Sequence, residues 1–231
     1  MNPFYPPINY IPNWLGQEDA DIAFKELWDK LDWVKTGKPR REYYCNDVKA
    51  PYVYDKGPDA HVYWPQPMTL IIRGIRVLLE EITNERFEVC FLNGYVDGKD
   101  QLGWHSDDSP EMDDDRPIAI VTLGEEREIW FRSRKEYVEL IAKQAEFFDE
   151  KQHEELARQS VEVTKLTLGH GSLCLMQPGM QDTHQHRIPK SSKHNCGPRI
   201  SLTFRGYVDP RIQDRTNMER QKVSPNISLP D

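Results

Sequence analysis

A mainly β protein with flanking helices, built on a double-stranded β-helix (jelly-roll) core, is the fold class this sequence predicts, on three observations. From Phe87 to Tyr207 the chain is a succession of short runs of β-branched, aromatic and other apolar residues, each bounded by Gly, Pro, Asp or Asn. Eight such runs follow one another in a single block, as a double-sheet jelly roll requires. Ahead of that block the apolar spacing is helical and the connecting stretch is rich in turn residues, which sets helices and loops outside the sheets.

Taken in order, residues 19–34 (DADIAFKELWDKLDWV) place Ile22 or Ala23, Leu27, Leu31 and Val34 at helical spacing with charges between, the pattern of an amphipathic helix packed on a larger body. Residues 39–67 are dense in Tyr, Pro and turn formers and predict hairpins or long loops. A second helix starts near Pro67, whose fixed φ suits a first turn, carries Leu70, Ile71, Val77, Leu78 and Ile82, and ends around Thr83 and Asn84. The eight strands then run over 87–96, 101–107, 117–124, 127–133, 161–168, 172–177, 183–189 and 199–207. Residues 135–160 interrupt them with Glu, Lys, Gln and Ala and no Gly or Pro, which predicts one inserted surface helix. The 231 residues thus form one elaborated domain: helices and a recognition lid over 1–86, the jelly-roll core over 87–207, and a C-terminal tail over 208–231.

A formal net charge of -8 and a pI near 5.4 give no bulk attraction for a polyanion, so any nucleic-acid contact has to rest on a local basic surface. One candidate spans Gln185 to Lys222, where Arg187, Lys190, Lys193, Arg199, Arg205, Arg211, Arg215, Arg220 and Lys222 face only Asp209, Asp214 and Glu219. The four cysteines are far apart with no C-x-x-C pair, which excludes a zinc knuckle and fits a reducing compartment. No basic segment followed by an apolar run opens the chain and no run is long enough to span a bilayer. The expectation is a soluble intracellular monomer, in cytoplasm or nucleus, with no membrane partner.

The chemistry concentrates in GWHSDDSPEMDDD, residues 103–115. His105 and Asp107 two apart on an extended segment point to the same face and can share an ion. A third ligand must come from downstream, where His184, His186 and His194 compete. Two imidazoles and a carboxylate on one face of an octahedral ion leave three positions open, as non-haem Fe(II) oxygenases require. Six residues apart on one strand, Arg199 and Arg205 share a face while Ile200, Leu202 and Phe204 face a core. Buried arginines are costly unless they meet an anion, and a dicarboxylate co-substrate provides one.

With these motifs in order, Asn93-Gly94-Tyr95, His105-Ser106-Asp107, His186-Arg187-Ile188-Pro189 and Arg199-Ile200-Ser201-Leu202-Thr203-Phe204-Arg205, the sequence resembles the AlkB-like family of Fe(II)- and 2-oxoglutarate-dependent dioxygenases. The likeness extends from YIPNWL to about Tyr207. It implies iron held by His105, Asp107 and His186, and 2-oxoglutarate held by Asn93, Tyr95, Arg199, Thr203 and Arg205. Ser201 stands where the family motif carries Asn. On the substrate side it implies a nucleotide-recognition lid: Tyr52 and Tyr54 as aromatic wall for a flipped base, with Lys38, Arg40 and Arg41 as phosphate contacts. Repair members often place an acid two positions past the ligand Asp; Ser109 stands there, with Asp108 as its acidic neighbour.

The activity implied is oxidative demethylation of an N-alkylated base in DNA or RNA, using Fe(II), 2-oxoglutarate and O2 and releasing the alkyl group as an aldehyde. Asp113, Asp114 and Asp115 beside the mouth repel phosphates, which favours a single-stranded partner over a duplex. The alternatives are a 2-oxoglutarate-dependent hydroxylase of a protein or small molecule, and a non-catalytic jelly-roll binding module.

Overall fold

In the computed structural model, residues 2–54 and 61–208 are described, with the side chain of Tyr54 outside that set. The eight expected strands all form: β5 (Val89–Tyr95), β6 (Leu102–His105), β7 (Ile118–Gly124), β8 (Arg127–Ser133), β9 (Thr164–Leu168), β10 (Ser172–Met176), β11 (His184–Ile188) and β12 (Arg199–Arg205). Four more precede them: β1 (Ile8–Ile11), β2 (Arg41–Asn46), β3 (Tyr52–Tyr54) and β4 (His61–Tyr63). A six-stranded antiparallel sheet runs β1-β10-β7-β12-β5-β2, a four-stranded one β6-β11-β8-β9, and β3 pairs with β4 as a separate hairpin. The two larger sheets meet through Tyr95, Ile120, Cys174 and Met176 on one side and Ile129, Phe131, Leu168 and Ile188 on the other.

The outer face of the larger sheet is covered by helices α1 (Gln17–Lys30) and α2 (Leu70–Thr83), so its central strands are buried on both faces. β12 shows the division of labour: Ile200, Leu202 and Phe204 pack towards the helices, while Arg199, Ser201, Thr203 and Arg205 alternate towards the space between the sheets. Gly124, at the turn from β7 to β8, has φ +86°, and a Cβ there would collide with the Pro198 carbonyl and the Phe24 ring.

Several expectations need correction. The first helix ends at Lys30, four residues early, because Leu31 is already extended. The second begins at Leu70 rather than near Pro67, with the Thr69 hydroxyl accepting the Ile72 N–H, and stops at left-handed Asn84. Its buried residues are Ile72, Ile75 and Leu79, whereas Leu70, Val77, Leu78 and Ile82 face outwards; the helix is apolar on two sides, so periodicity alone misjudged its phase. The insertion is two helices, α3 (Lys135–Gln144) and α4 (Glu150–Ser160), split where Asp149 and Gln152 form a reciprocal capping box that starts α4 afresh. A short α5 (Met180–Thr183) precedes β11. The tail beyond Val208, with Arg211, Arg215, Arg220 and Lys222, lies outside the described residues.

Candidate active site

The site forms where β6, β11 and β12 converge on the space between the sheets. His105 ends β6 and lies directly across from His186 on β11, with ring centroids 4.2 Å apart. β6 stops there, so Asp107 is a loop residue and not the strand residue expected. Its position is set by the buried Gln181, whose Oε1 accepts the Asp107 backbone N–H at 2.9 Å. The His105 and His186 Nε2 atoms stand 3.6 and 3.8 Å from the Asp107 carboxylate, and all three ligand atoms lie within 4.8 Å of one another. Gly103 O, 2.9 Å from His105 Nδ1, fixes that nitrogen as the N–H and turns the Nε2 lone pair to the cluster.

The protonation states suit a metal. Burial keeps both imidazoles neutral, pushing His186 down to about 3 with His105 adding to the effect, and lowering His105 as well. Burial by itself would raise Asp107; Arg205 first, then His186 and His105, outweigh it and hold the carboxyl well below the usual range. Two neutral imidazoles and an ionised carboxylate form a ready N2O ligand set. His184 is excluded by its bonds, since Nε2 meets Phe4 O at 2.9 Å and Nδ1 meets Thr183 Oγ1 at 2.8 Å. His194 is exposed in the loop before β12.

Beside the cluster lies a field of donors without acceptors. Arg199 is fully buried, makes no ion pair among the described residues, and spends only Nη2, on Thr122 Oγ1 at 3.1 Å. Its Nε and Nη1, the Arg205 Nε and the Tyr95 hydroxyl have no hydrogen-bond partner among the described residues. Arg205 Nη2 pairs with Asp107 Oδ1 at 2.7 Å. Leaving so many buried donors unmet is costly unless an anion meets them, and a dicarboxylate fits this donor set. Ser201 and Thr203 line the same cavity, while Asn93 Oδ1 accepts from Arg40 Nε at 2.6 Å.

The substrate-side residues divide. Tyr52 is buried and walls a pocket with Arg40, Phe91, Leu102 and His105; its ring meets Phe91 edge-on at 5.8 Å. Arg40 is buried too, paired with Glu42 at 2.7 Å, so it shapes the pocket instead of standing on the surface for a phosphate. Arg41 points to the other face of β2 and stacks on Trp28 at 4.1 Å. Asp108 turns outwards to Arg134 at 3.1 Å, while Ser109 donates to the Tyr52 hydroxyl at 3.1 Å and so takes the inner place. Lys38 Nζ donates to the Tyr63 hydroxyl at 3.0 Å. Among the described residues of the expected basic face, Arg199 and Arg205 are interior, Arg187 lies between two tryptophans, Lys193 pairs with Glu125 and Lys190 is exposed. Gln181, Thr122, Phe91 and the buried Glu42 were not foreseen, and only Phe91, two before Asn93 on one strand, left a readable signal by its parity.

Residues 7–205 match the 2OG-Fe(II) oxygenase superfamily. Among curated relatives, the chain is 28% identical over 202 residues to the DNA oxidative demethylase ALKBH2 of Mus musculus, covering 82% of this chain and 76% of that one. It is 30% identical over 213 residues to the alpha-ketoglutarate-dependent dioxygenase alkB homolog 3 of Bos taurus, covering 87% of this chain and 66% of that one. The solved structure of OsALKBH1 superposes with a TM-score of 0.54 at 14% identity over 89% of this chain and all of that one, a likeness of fold. A jelly roll that brings two histidines and a carboxylate together beside unmatched buried arginines, in a sequence matched along most of its length, is accounted for by one family: the chain belongs to the 2OG-Fe(II) oxygenase superfamily, with its AlkB-like members.

Proposed function

We propose that this chain carries out Fe(II)- and 2-oxoglutarate-dependent oxidative demethylation of N-alkylated bases in single-stranded DNA or RNA. The observation that carries the reading is the pocket of Tyr52 and Phe91, which opens directly onto His105 and Asp107. Its aromatic lining suits contact with a base out of its stack, with the alkyl group directed at the ligand cluster. His105, Asp107 and His186 hold iron, which with 2-oxoglutarate and O2 supplies the oxidising power when bound. Arg199 and Arg205 grip the co-substrate carboxylates, with Asn93, Tyr95, Ser201 and Thr203 lining its bed. Gln181 holds Asp107 in place and the buried position of the pocket keeps water away from the reacting carbon.

Names of the AlkB relatives support a nucleic-acid substrate, and the acid-flanked mouth supports a single strand that can route its backbone away from Asp113, Asp114 and Asp115. The proposal includes a monomer in a reducing compartment, to which four free cysteines are suited. The deciding assay is succinate formation with methylated single-stranded DNA, methylated RNA, methylated duplex or no substrate; stimulation by either single strand is expected. One observation favours a second reading. Burial and the crowding of Asp182, Asp108, Asp113 and Asp115 raise Asp114 to about 6, and so acidic a mouth suits a cationic peptide or small molecule. Failure of every oligonucleotide to stimulate turnover would leave the hydroxylase reading in its place.

A further inference from the structure

The outer face of the smaller sheet carries a row of alternating rings and cations. Lys165 on β9 lies 4.3 Å from the Trp130 ring on β8, the Arg187 guanidinium on β11 lies 4.5 Å from Trp130 and 5.3 Å from Trp104 on β6, and Arg132 lies 4.5 Å from Trp104. Strand register sets the order, since Lys165 pairs with Trp130 and Trp130 with Arg187. Each ring is flanked by two cations, and Arg187 is shared between the two rings.

What it braces follows from neighbours in sequence. Trp104 immediately precedes His105, and Arg187 immediately follows His186, so two members of the row sit on the outer face behind the two histidines. β6 needs bracing: it has four residues, lies at the sheet edge and, among the described residues, pairs only with β11. Its register shifts between the pairs His186 with His105 and Ile188 with Leu102, so Gly103 and Trp104 together oppose the single residue Arg187. That bulge lets Leu102 and His105, three apart, both face the cavity, and it presents the Gly103 carbonyl to His105 Nδ1. A bulge re-aims a side chain at the cost of ladder bonds, and here one guanidinium spans the site of the loss.

We propose that Arg187 is a positioning residue that, through Trp104, clamps the bulged edge strand and holds His105 in register with His186 for metal binding. The inference rests on the metal-ligand reading of His105, Asp107 and His186. The test compares the metal-free protein with Arg187→Met, Arg187→Lys, Trp104→Leu, the pair Arg187→Met with Trp104→Leu, and Lys165→Met, a cation of the same row that does not reach Trp104. Cobalt(II) affinity is read from its visible absorption, and exchange of the β6 amides from deuterium uptake.

Arg187→Met is expected to weaken cobalt about tenfold or more and to speed exchange at Trp104 and His105. Lysine, a point charge that cannot span two rings, falls between Met and Arg. Trp104→Leu should add little to Arg187→Met, while Lys165→Met stays within twofold of the parent. Cobalt affinity unchanged in Arg187→Met, or lowered as much by Lys165→Met, overturns the clamp. If Arg187→Met does not fold, Arg187→Lys decides, threefold weaker binding supporting the clamp and parental binding ending it. A parent protein that binds no cobalt removes the metal reading and the clamp with it, whereas cobalt bound equally by parent and Arg187→Met removes the clamp alone.

Discussion

Replacing Arg199 by Met separates co-substrate binding from folding, because the structure gives opposite costs for the two. Among the described residues Arg199 is a fully buried cation without a counter-charge, and burial pushes it down to about 10. Below that pH it is charged in folded and unfolded chains alike, so the whole cost, roughly 3 kcal/mol at about 1.4 kcal/mol per tenfold, is present at neutral pH. The cost disappears only as pH rises through 10 towards the ordinary arginine value. Methionine removes that penalty but forfeits the Thr122 hydrogen bond and the contact with the Tyr95 ring, together about 2 to 3 kcal/mol. Folding stability should therefore change by no more than about 1 to 2 kcal/mol. Binding is different. A carboxylate on two charge-assisted hydrogen bonds is worth about 3 to 6 kcal/mol, so the 2-oxoglutarate Kd should rise by roughly a hundredfold or more. Denaturant melts without ligand, and thermal melts over a 2-oxoglutarate titration in manganese-loaded protein, measure the two effects. Unchanged 2-oxoglutarate affinity, or a stability loss above about 4 kcal/mol, would refute an anion-receiving role for this arginine.

The other expectations are more local. His186→Ala and Asp107→Ala should abolish metal binding in a calorimetric titration, while His184→Ala should keep it and instead lower the melting temperature, because both His184 nitrogens serve Phe4 and Thr183. As pH falls through about 6, Asp114 takes up a proton and the mouth loses a negative charge; affinity for a single-stranded oligonucleotide should rise at constant salt, and Asp114→Asn should flatten that dependence. Tyr52→Ala should cut demethylation of a methylated oligonucleotide at least tenfold and reduce substrate-free succinate formation far less, because Tyr52 walls the base pocket, which it shares with Asn93 and Arg205, while the unmet donors of Arg199 and Tyr95 lie outside that lining.

The eight strands of the core were legible because each alternates or saturates in apolar residues between turn formers, and β12 even announced its two faces in Arg-Ile-Ser-Leu-Thr-Phe-Arg; their order within the two sheets was not. β1 was not, since INYI is four residues long beside prolines and is a strand only because β10 has an edge to fill. The three residues of the His105, Asp107 and His186 cluster were readable from type and spacing, yet the geometric reason offered for Asp107 was wrong: a glutamine 74 residues away, not strand parity, sets it. Arg40 and Arg41 illustrate the other gap. Adjacent in sequence and alike in charge, one enters the pocket and the other stacks on a tryptophan, because β2 joins the larger sheet and has two buried faces.

β1 also determines how the protein tolerates handling. It pairs with β10 along Ile8 to Ile11, and the chain around it adds a bond from Gln177 N–H to Pro7 O, one from the Tyr137 hydroxyl to Pro3 O, and one from Gly169 N–H to the Tyr10 hydroxyl. Trimming the first eleven residues would bare the buried Ser-Leu-Cys-Leu-Met run of β10 as a flat apolar strand with unmet backbone groups, the kind of edge on which chains stack into aggregates. The same cut takes away Phe4 O and leaves a His184 nitrogen unsatisfied two residues from His186. A recombinant form shortened at this end is thus exposed to insolubility and to a loosened His105, Asp107 and His186 cluster at once, and a tag is better carried ahead of an intact N-terminal segment than in place of it.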